Sequence, residues 1–331
     1  MLLIDGLQCS KFDRDVFLEL RRGQLSCVTI TLGFWEDTVE SLEATVRFKE
    51  LVGANSDLVQ IARSADEIET SVNSGRTALL LGFQNTSALG GRIRFAQIFA
   101  DLGVRVMQLT YNIQNDIGSS CYEKTDTGLS RFGREVVGEF NRLGILIDIS
   151  HVGERSGMDA IELSRVPVAV THANPYEVVP HARNKSTRLL RELAARGGVI
   201  GLATYPHLTG PYAESLDKWC ELVLRAADIC GPEHVAIGTD VGRKVAPADT
   251  QWMRMGRWTR IVNYGAGSAS SPSKSPDPDW IEKMAGFPQI ADELMRKGLS
   301  RRDAEGIMGG NWMRVYRDVF GSVTAERAAA E

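Results

Sequence analysis

Eight short, almost continuously apolar runs recur along the chain, and longer stretches with helical periodicity separate them. The runs cover residues 2–5, 25–31, 77–83, 104–109, 144–149, 167–171, 198–203 and 235–239. Strands that are apolar on both faces are typical of a parallel sheet covered on both sides. Eight such strands joined by helices favour a (β/α)8 barrel over an open sheet.

The stretches between the runs contain the signals that start and stop helices. Apolar periodicity predicts helices over 36–52, 91–102, 134–143 and 187–196. Gly103, Gly144 and Gly197 directly follow three of them, and a glycine just past the last periodic residue is the usual helix stop.

The chain shows no sign of a second domain. We expect a single barrel domain over residues 1–323, with loop insertions near 111–130 and 241–285, followed by a tail at 324–331. Long loops after barrel strands lie on the catalytic face and often act as lids. No GxGxxG follows the first run, which argues against a dinucleotide-binding fold.

Composition restricts the partners and the compartment. Apolar residues make up 43% of the chain, the net charge is −4, and no basic stripe indicates nucleic acid. The five cysteines are scattered without a CxxC, no apolar run reaches the roughly 20 residues of a membrane helix, and no leader pattern opens the sequence. We expect a cytoplasmic protein with a small-molecule substrate and neither nucleic acid nor membrane as partner.

Two histidines stand directly after consecutive predicted strands. His151 lies just beyond the run 144–149, and His172 follows the run 167–171. The carboxyl ends of barrel strands open on one face, where barrel enzymes keep their chemistry. Two neutral imidazoles there can converge on one metal ion. The pattern therefore predicts a metal site with His151 and His172 as ligands.

The end of the first predicted strand offers two further candidate ligands. Asp5 could bind a metal or orient a ligand, and an aspartate there could equally form an Asx turn. Cys9 could supply a thiolate to zinc, or it could be a buried free thiol.

Polar side chains at other strand ends are candidates for catalysis and substrate binding. Gln84 follows the run 77–83, where an amide can position a substrate but cannot act as a base. Tyr111 and Asn112 follow the fourth run, and a phenol there can donate to a developing oxyanion or simply pack at the rim. Asp240, after the last run, could take a proton from water or hold a substrate amine. The Arg183 guanidinium suits a carboxylate, although a solvated charge is the alternative.

Several motifs, in the same order along nearly the whole chain, resemble the membrane (renal) dipeptidase family of metallopeptidases. They are Ile4-Asp5-Gly6, Leu109-Thr110-Tyr111-Asn112, Gly128-Leu129-Ser130 with Phe132-Gly133, Ile147-Asp148-Ile149-Ser150-His151, Val170-Thr171-His172, Ala182-Arg183-Asn184, Ile237-Gly238-Thr239-Asp240 and Gly309-Gly310-Asn311-Trp312. The resemblance implies an amidohydrolase-like (β/α)8 barrel, a homodimer, and a place for Asn184 beside Arg183 in substrate binding.

The resemblance also implies a two-zinc centre that this sequence matches in part. The family opens with Asp-Gly-His-x-Asp and adds a bridging glutamate after the third strand, but Leu7, Cys9 and Gln84 stand at these three ligand positions. Tyr111 replaces the family's substrate-polarising histidine.

The rest of the family's site is kept. His151 and His172 match the two later metal ligands, while Asp240 and Arg183 match the groups that hold the substrate's amine and carboxylate. The retained ligands suffice for at most one divalent ion, which we expect to be zinc.

These residues favour a dipeptidase-like metallohydrolase that cleaves an amide-type bond in a small substrate carrying a carboxylate. One alternative is a different reaction on the same barrel, such as isomerisation, elimination or carbon–nitrogen cleavage. The resemblance suggests that such a reaction would serve the catabolism of N-methylated amino acids or betaines. A second alternative is a catalytically inactive homologue that binds an amino-acid-like ligand.

Overall fold

Nine parallel strands form one sheet in the computed structural model, which describes residues 1–257 and 276–321. The strands are β1 (Ile4–Gln8), β2 (Cys27–Thr31), β3 (Val59–Ile61), β4 (Thr77–Phe83), β5 (Val104–Gln108), β6 (Leu146–Asp148), β7 (Ala169–Ala173), β8 (Val199–Leu202) and β9 (Val235–Ile237). Their order is β1-β2-β4-β5-β6-β7-β8-β9, and β3 pairs with β4 outside this path.

The first and last strands of this path meet and close the sheet into a barrel. The Asp240 N–H donates to the Leu7 carbonyl at 3.1 Å, and the Cys9 N–H donates to the Val241 carbonyl at 2.9 Å. The contacts use residues at and just beyond the ends of β1 and β9, so the seam is tightest at the carboxyl ends of the strands. The predicted (β/α)8 barrel is confirmed.

The strand predictions miss one element, and the ends of seven of the eight predicted strands are shifted by one to three residues. The prediction that His172 follows its strand was wrong, because β7 runs from Ala169 to Ala173 and includes it. β3 was not predicted because it has three residues and is fully buried at Val59 alone. β1 runs to Gln8 rather than ending at Asp5, because the buried polar side chains of Asp5 and Gln8 do not show up in an apolar run.

Thirteen α-helices lie within the described residues. They are α1 (Arg14–Arg22), α2 (Thr38–Ala54), α3 (Ala65–Asn73), α4 (Phe95–Leu102), α5 (Arg131–Leu143), α6 (Glu154–Leu163), α7 (Thr187–Ala195), α8 (Pro206–Thr209), α9 (Leu216–Cys230), α10 (Pro247–Met255), α11 (Gln289–Arg296), α12 (Arg301–Glu305) and α13 (Asn311–Phe320). All four predicted helices are present. α4 begins later than predicted because Gly90 and Gly91 both take positive φ, which a helix does not tolerate.

The amino-terminal end of the barrel is sealed by α13. Trp312 and Tyr316 are fully buried there against Ile4, Leu80 and Val199 of the barrel interior. The Trp312 indole donates to the Ile237 carbonyl at 2.9 Å, which ties the helix to β9. With this end filled by aromatic side chains, a small molecule can reach polar groups from the opposite end.

No helix within residues 1–257 and 276–321 has both the length and the apolar character that a membrane span requires. The predicted tail at 324–331, and the serine- and proline-rich part of the second insertion between 258 and 275, lie outside the described residues.

Candidate functional site

A cavity of about 80 Å³ opens at the carboxyl ends of the strands. Its lining comes from the strand ends and from both insertions: Cys9, Phe34, Gln84, Tyr111, Asn112, Tyr122, His151, Arg183, Tyr205, Leu208, Asp240, Thr250, Met253 and Arg254. The volume is several times below the roughly 300–1,000 Å³ of a drug-sized ligand site, so it suits a small molecule.

The imidazole of His151 lines this cavity, and it faces the imidazole of His172, which is fully buried behind it. Their Nε2 atoms are 3.1 Å apart. The Nδ1 atom of His151 lies 2.6 Å from the Asn112 amide oxygen, which can accept but not donate. Nδ1 of His151 therefore carries the proton, and its Nε2 carries a lone pair.

A hydrogen-bonded relay assigns the same tautomer to His172. The Thr171 hydroxyl donates to the Asp148 carboxylate at 2.7 Å, so it accepts from Nδ1 of His172 at 2.8 Å. The Ser150 hydroxyl also donates to Asp148. Nε2 of His172 is thus left as a lone pair that points at the lone pair of His151.

Both histidines are held in the neutral form. Burial, and after it the positive charge of Arg183, lowers the pKa of each imidazole well below its ordinary value. Two neutral nitrogen lone pairs at 3.1 Å repel each other unless a cation lies between them. The pair therefore has the electrostatic character of an electron-donor site for a positive ion.

The two candidate ligands of the first strand have other partners. The Asp5 carboxylate accepts hydrogen bonds from the Thr239 N–H at 2.8 Å, the Thr239 hydroxyl at 2.6 Å and the Gln8 amide at 2.9 Å. The Cys9 thiol lines the cavity and contacts the carbonyls of Asp240 and Val241 at 3.7 and 3.6 Å. Among the residues that the structure describes, no group of three His, Cys, Asp or Glu side chains is arranged to hold a metal.

Gln84, Tyr111 and Asn112 all lie at the cavity, as the sequence predicts for side chains at strand ends. The Gln84 amide donates to the Thr31 hydroxyl at 2.9 Å. The Tyr111 ring packs on the His151 ring with centroids 4.3 Å apart, and burial raises the pKa of its phenol well above its ordinary value. Asn112, with a positive φ of 58°, directs its amide oxygen at His151.

Asp240 and Arg183 bring opposite charges to the same cavity. Asp240 follows β9 with φ at 59°, a left-handed conformation that residues other than glycine seldom take. The Arg183 guanidinium donates to the carbonyls of Ser150 and His172, the latter at 3.0 Å. Asn184 lies behind the cavity wall, where its amide donates to the Val179 carbonyl at 2.8 Å.

Sequence reasoning missed three aromatic side chains of the cavity wall: Phe34, Tyr122 and Tyr205. Tyr205 follows β8, so the strand-end rule that located Tyr111 also applies to it. Phe34 and Tyr122 lie further into loops, where no spacing rule indicates which way a side chain points. Thr250, Met253 and Arg254 come from α10, inside the second predicted insertion.

The closed parallel barrel, with paired histidines at its strand ends, defines the class of amidohydrolase-like (β/α)8 proteins. Within that class, residues 16–253 match the membrane dipeptidase family (peptidase family M19), and the chain belongs to this family. The family expectation drawn from the motifs is confirmed.

Individual relatives agree with this assignment. The chain is 34% identical to an amidohydrolase from Pseudomonas aeruginosa of known crystal structure, with a TM-score of 0.90 and 97% of each chain covered. It is 29% identical to the dipeptidase tcpJ of Claviceps purpurea over 86% of this chain and 60% of the relative. A Rhodobacter sphaeroides metallopeptidase, crystallised with a phosphinate mimic of L-Ala-D-Ala, shares the fold at 16% identity, with a TM-score of 0.78. The chain spans about 60% of the length of the curated relatives it matches.

Proposed function

We propose that this protein is a dipeptidase-like hydrolase that cleaves an amide-type bond in a small substrate carrying a carboxylate. In this proposal it uses at most one divalent metal ion, zinc, held by His151 and His172. The observation that carries the proposal is the pair of neutral imidazoles whose unprotonated Nε2 atoms face each other at 3.1 Å.

The chain's own donors fit one ion. Zinc–imidazole bonds are about 2.0–2.1 Å long, and two of them at a tetrahedral angle separate the nitrogens by roughly 3.3 Å. The observed 3.1 Å separation is close to this value. Each imidazole also donates its other N–H to a fixed oxygen, which is how metal-binding histidines are usually oriented. When bound, the ion would polarise a carbonyl and lower the pKa of a water molecule.

The same residues do not fit the family's second ion. Leu7 has no donor atom, and the Gln84 amide is a poor ligand that already donates to Thr31. The Cys9 sulfur contacts the backbone carbonyls of Asp240 and Val241. The Asp5 carboxylate accepts four hydrogen bonds, from the N–H and hydroxyl of Thr239, the Gln8 amide and the Leu7 N–H. We therefore leave Asp5 out of the proposed ligand set and keep Cys9 as a neighbour of the ion rather than a ligand.

Arg183 and Asp240 would hold the two charged ends of a zwitterionic substrate. A guanidinium has five N–H donors, and its two bonds to the carbonyls of Ser150 and His172 leave others for a carboxylate. Asp240 would either anchor the substrate amine or accept a proton from the attacking water. The positive φ of Asp240 places this charge at the cavity wall.

Tyr111 would donate to the oxygen of the scissile carbonyl. Because burial keeps its phenol protonated, Tyr111 can donate a hydrogen bond where negative charge develops. Gln84, which cannot transfer protons, would help to orient the carbonyl from the β4 side. Asn112 would act mainly through the hydrogen bond that fixes the His151 ring.

We further propose a cytoplasmic homodimer. The five cysteines are all free, which fits a reducing compartment, and the dimer rests on the family resemblance.

The test measures metal and turnover on the same preparation. Protein purified without chelator is analysed for metal by mass spectrometry and assayed with L-Ala-L-Ala and L-Ala-D-Ala. The proposal predicts about one equivalent of zinc and turnover of a dipeptide that a chelator abolishes. A metal-free preparation that still cleaves dipeptides would refute the metal part, and a zinc-loaded preparation without turnover would refute the dipeptidase part.

One observation favours a second candidate, a reaction on a methylated ammonium compound that also carries a carboxylate. Phe34, Tyr111, Tyr122 and Tyr205 line the cavity together with the carboxylate of Asp240. Aromatic faces beside an acid are the usual recognition site for a methylated ammonium group. Assaying N,N-dimethylglycine and glycine betaine beside the dipeptides separates the two candidates, because ordinary turnover of the dipeptides rules out the second.

A further inference from the structure

The hydroxyl of Tyr122 is a buried polar group without a partner at the cavity. Within the described residues, four buried side-chain atoms lack a hydrogen-bond partner: the amide oxygens of Gln8, Gln60 and Gln108, and the Tyr122 hydroxyl. Of these four residues, Tyr122 is the one whose side chain lines the cavity. A buried hydroxyl without a partner costs about 1–3 kcal/mol, so at a cavity wall it is a donor that a bound molecule can satisfy.

The position of Tyr122 is fixed by backbone contacts to the segment that carries His151. Ser120 forms an antiparallel bridge with Val152, and the Cys121 N–H donates to the His151 carbonyl at 2.9 Å. Further along the insertion, the Asp126 carboxylate accepts from Gly128 and from the first turn of α6. The loop therefore holds Tyr122 at a set distance from the histidine pair.

The ring of Tyr122 is also held against the loop that carries Arg183. It stands edge-on to the His181 ring, with centroids 6.4 Å apart and an interplanar angle of 90°. His181 in turn accepts from the Arg183 N–H at 3.1 Å. A rigid ring of this kind loses little conformational entropy when its hydroxyl binds a ligand.

The chemistry of the neighbours restricts what the hydroxyl can bind. Burial raises the pKa of Tyr122, so the hydroxyl stays protonated and can donate. Arg183, on the same cavity, has donors and no acceptor, and a ligand ammonium held at Asp240 has no acceptor either. A ligand carboxylate can accept from Tyr122 and Arg183 together.

We propose that Tyr122 is a specificity-determining residue that donates to the ligand's carboxylate beside Arg183, so the site selects acids over the corresponding amides. The proposal rests on the proposed function, because that function supplies the carboxylate in the ligand. Both the dipeptide and the methylated ammonium candidate carry such a carboxylate. Tyr122 adds a third recognition group to the pair formed by Arg183 and Asp240.

The test compares acid and amide probes on the wild type and on Tyr122→Phe. The probes are L-Ala-D-Ala, N,N-dimethylglycine and their carboxamides, and their binding is measured by calorimetry. A hydrogen bond to a charged group is worth more than one to a neutral group, so Tyr122→Phe should weaken the acids by about 10–100-fold and the amides by about 10-fold or less. Tyr316→Phe is the matched control, since Tyr316 is a buried tyrosine at the opposite end of the barrel, and it should leave binding unchanged.

Thermal unfolding without ligand supplies a readout that does not depend on the probe. Tyr122→Phe removes a hydroxyl that has no protein partner, so its Tm should equal or exceed that of the wild type. A Tm that falls further than in Tyr316→Phe would assign Tyr122 a structural role and overturn the inference.

The binding outcomes separate the two proposals. If the wild type binds the acids and Tyr122→Phe binds them equally well, the inference fails while the proposed function stands. If the wild type binds none of the four probes, the proposed function fails and the recognition role of Tyr122 fails with it.

Discussion

The carboxyl-terminal ends of the strands form a rim with two halves, and among the residues that the structure describes only one of these halves presents side-chain atoms that are free to bind a metal. At β6 and β7, His151 and His172 each donate one N–H to a fixed oxygen and present the other nitrogen to a shared point. At β1 and β4, Leu7, Cys9 and Gln84 stand where the resemblance implies ligands, and the Asp5 carboxylate is saturated by Thr239 and Gln8.

The difference shows that the two halves of such a centre are supported independently. The histidines owe their geometry to Asp148, Ser150, Thr171 and Asn112, all from β6, β7 or the loop after β5. None of these hydrogen bonds involves β1 or β4, so ligands could be lost there without disturbing the histidine pair.

The largest effect is expected from removing either imidazole. His151→Ala or His172→Ala leaves one donor of the pair, so zinc affinity should fall by at least about 100-fold, the upper end of what losing an outer partner costs. Metal content after dialysis measures this. His234→Ala is the control. His234 directly precedes β9 at the opposite end of the barrel, where its imidazole is hydrogen-bonded to the Gly198 carbonyl. Full zinc retention by His172→Ala would show that the histidine pair does not hold the metal.

A variant that restores the family's ligands tests the other half of the rim. Leu7→His, Cys9→Asp and Gln84→Glu together should raise the zinc content from about one to two equivalents, because donors then stand on both halves. The control combines Leu7→Gln with Cys9→Asn, which has similar side-chain sizes but no strong ligands, and it should stay at one. An unchanged stoichiometry in the restored variant would show that β1 and β4 do not face the histidine pair.

The buried carboxyl of Asp5 should make stability depend on pH. Burial raises its pKa from 3.8 to about 6, so the folded state binds this proton more tightly than the unfolded chain does. The free energy of unfolding should therefore fall, through this group, by about 2 kcal/mol as the pH rises from about 4 to 6, out of about 3 kcal/mol over the whole titration. Denaturant titrations across this range measure the effect as the difference between wild type and Asp5→Asn.

The control for Asp5 is the exposed Asp66 at the start of α3. Asp66→Asn removes an exposed carboxylate, so a pH-dependent difference from the wild type that appears in Asp5→Asn and not in Asp66→Asn belongs to the buried group. If Asp5→Asn and Asp66→Asn show the same pH dependence, the Asp5 carboxyl does not titrate in this range and the expected pKa shift is wrong.

The smallest effect on zinc affinity is expected from Thr171, which contacts a proposed metal ligand but not the metal. Thr171→Val removes the hydroxyl that joins Asp148 to His172 and should weaken zinc binding by about 10–100-fold. Competition with a chromophoric chelator measures this, and Thr171→Ser should restore most of the affinity. Thr77→Val, which removes a buried hydroxyl at the start of β4, should leave the affinity unchanged.

The sequence was informative wherever one local rule decides the structure. Apolar runs located eight strands, and the parallel arrangement then placed His151, His172 and Asp240 on one rim. The role of Thr171 could not be predicted, because a threonine inside a buried strand is common and its partner Asp148 is 23 residues away. Tyr122 was missed for a similar reason, since its direction depends on the bridge between Ser120 and Val152.

The barrel seam has a consequence for the order of events in folding. The backbone bond from Cys9 to Val241 joins residues 232 positions apart, and the neighbouring bond from Asp240 to Leu7 closes the same loop. Contacts of such long range form late, because the entropy of closing a large loop opposes them until the rest is in place. During refolding, amide hydrogens at this seam should therefore gain protection from exchange after those of β4 to β7. Asp240, whose own N–H forms a seam bond, should take its native position late in folding.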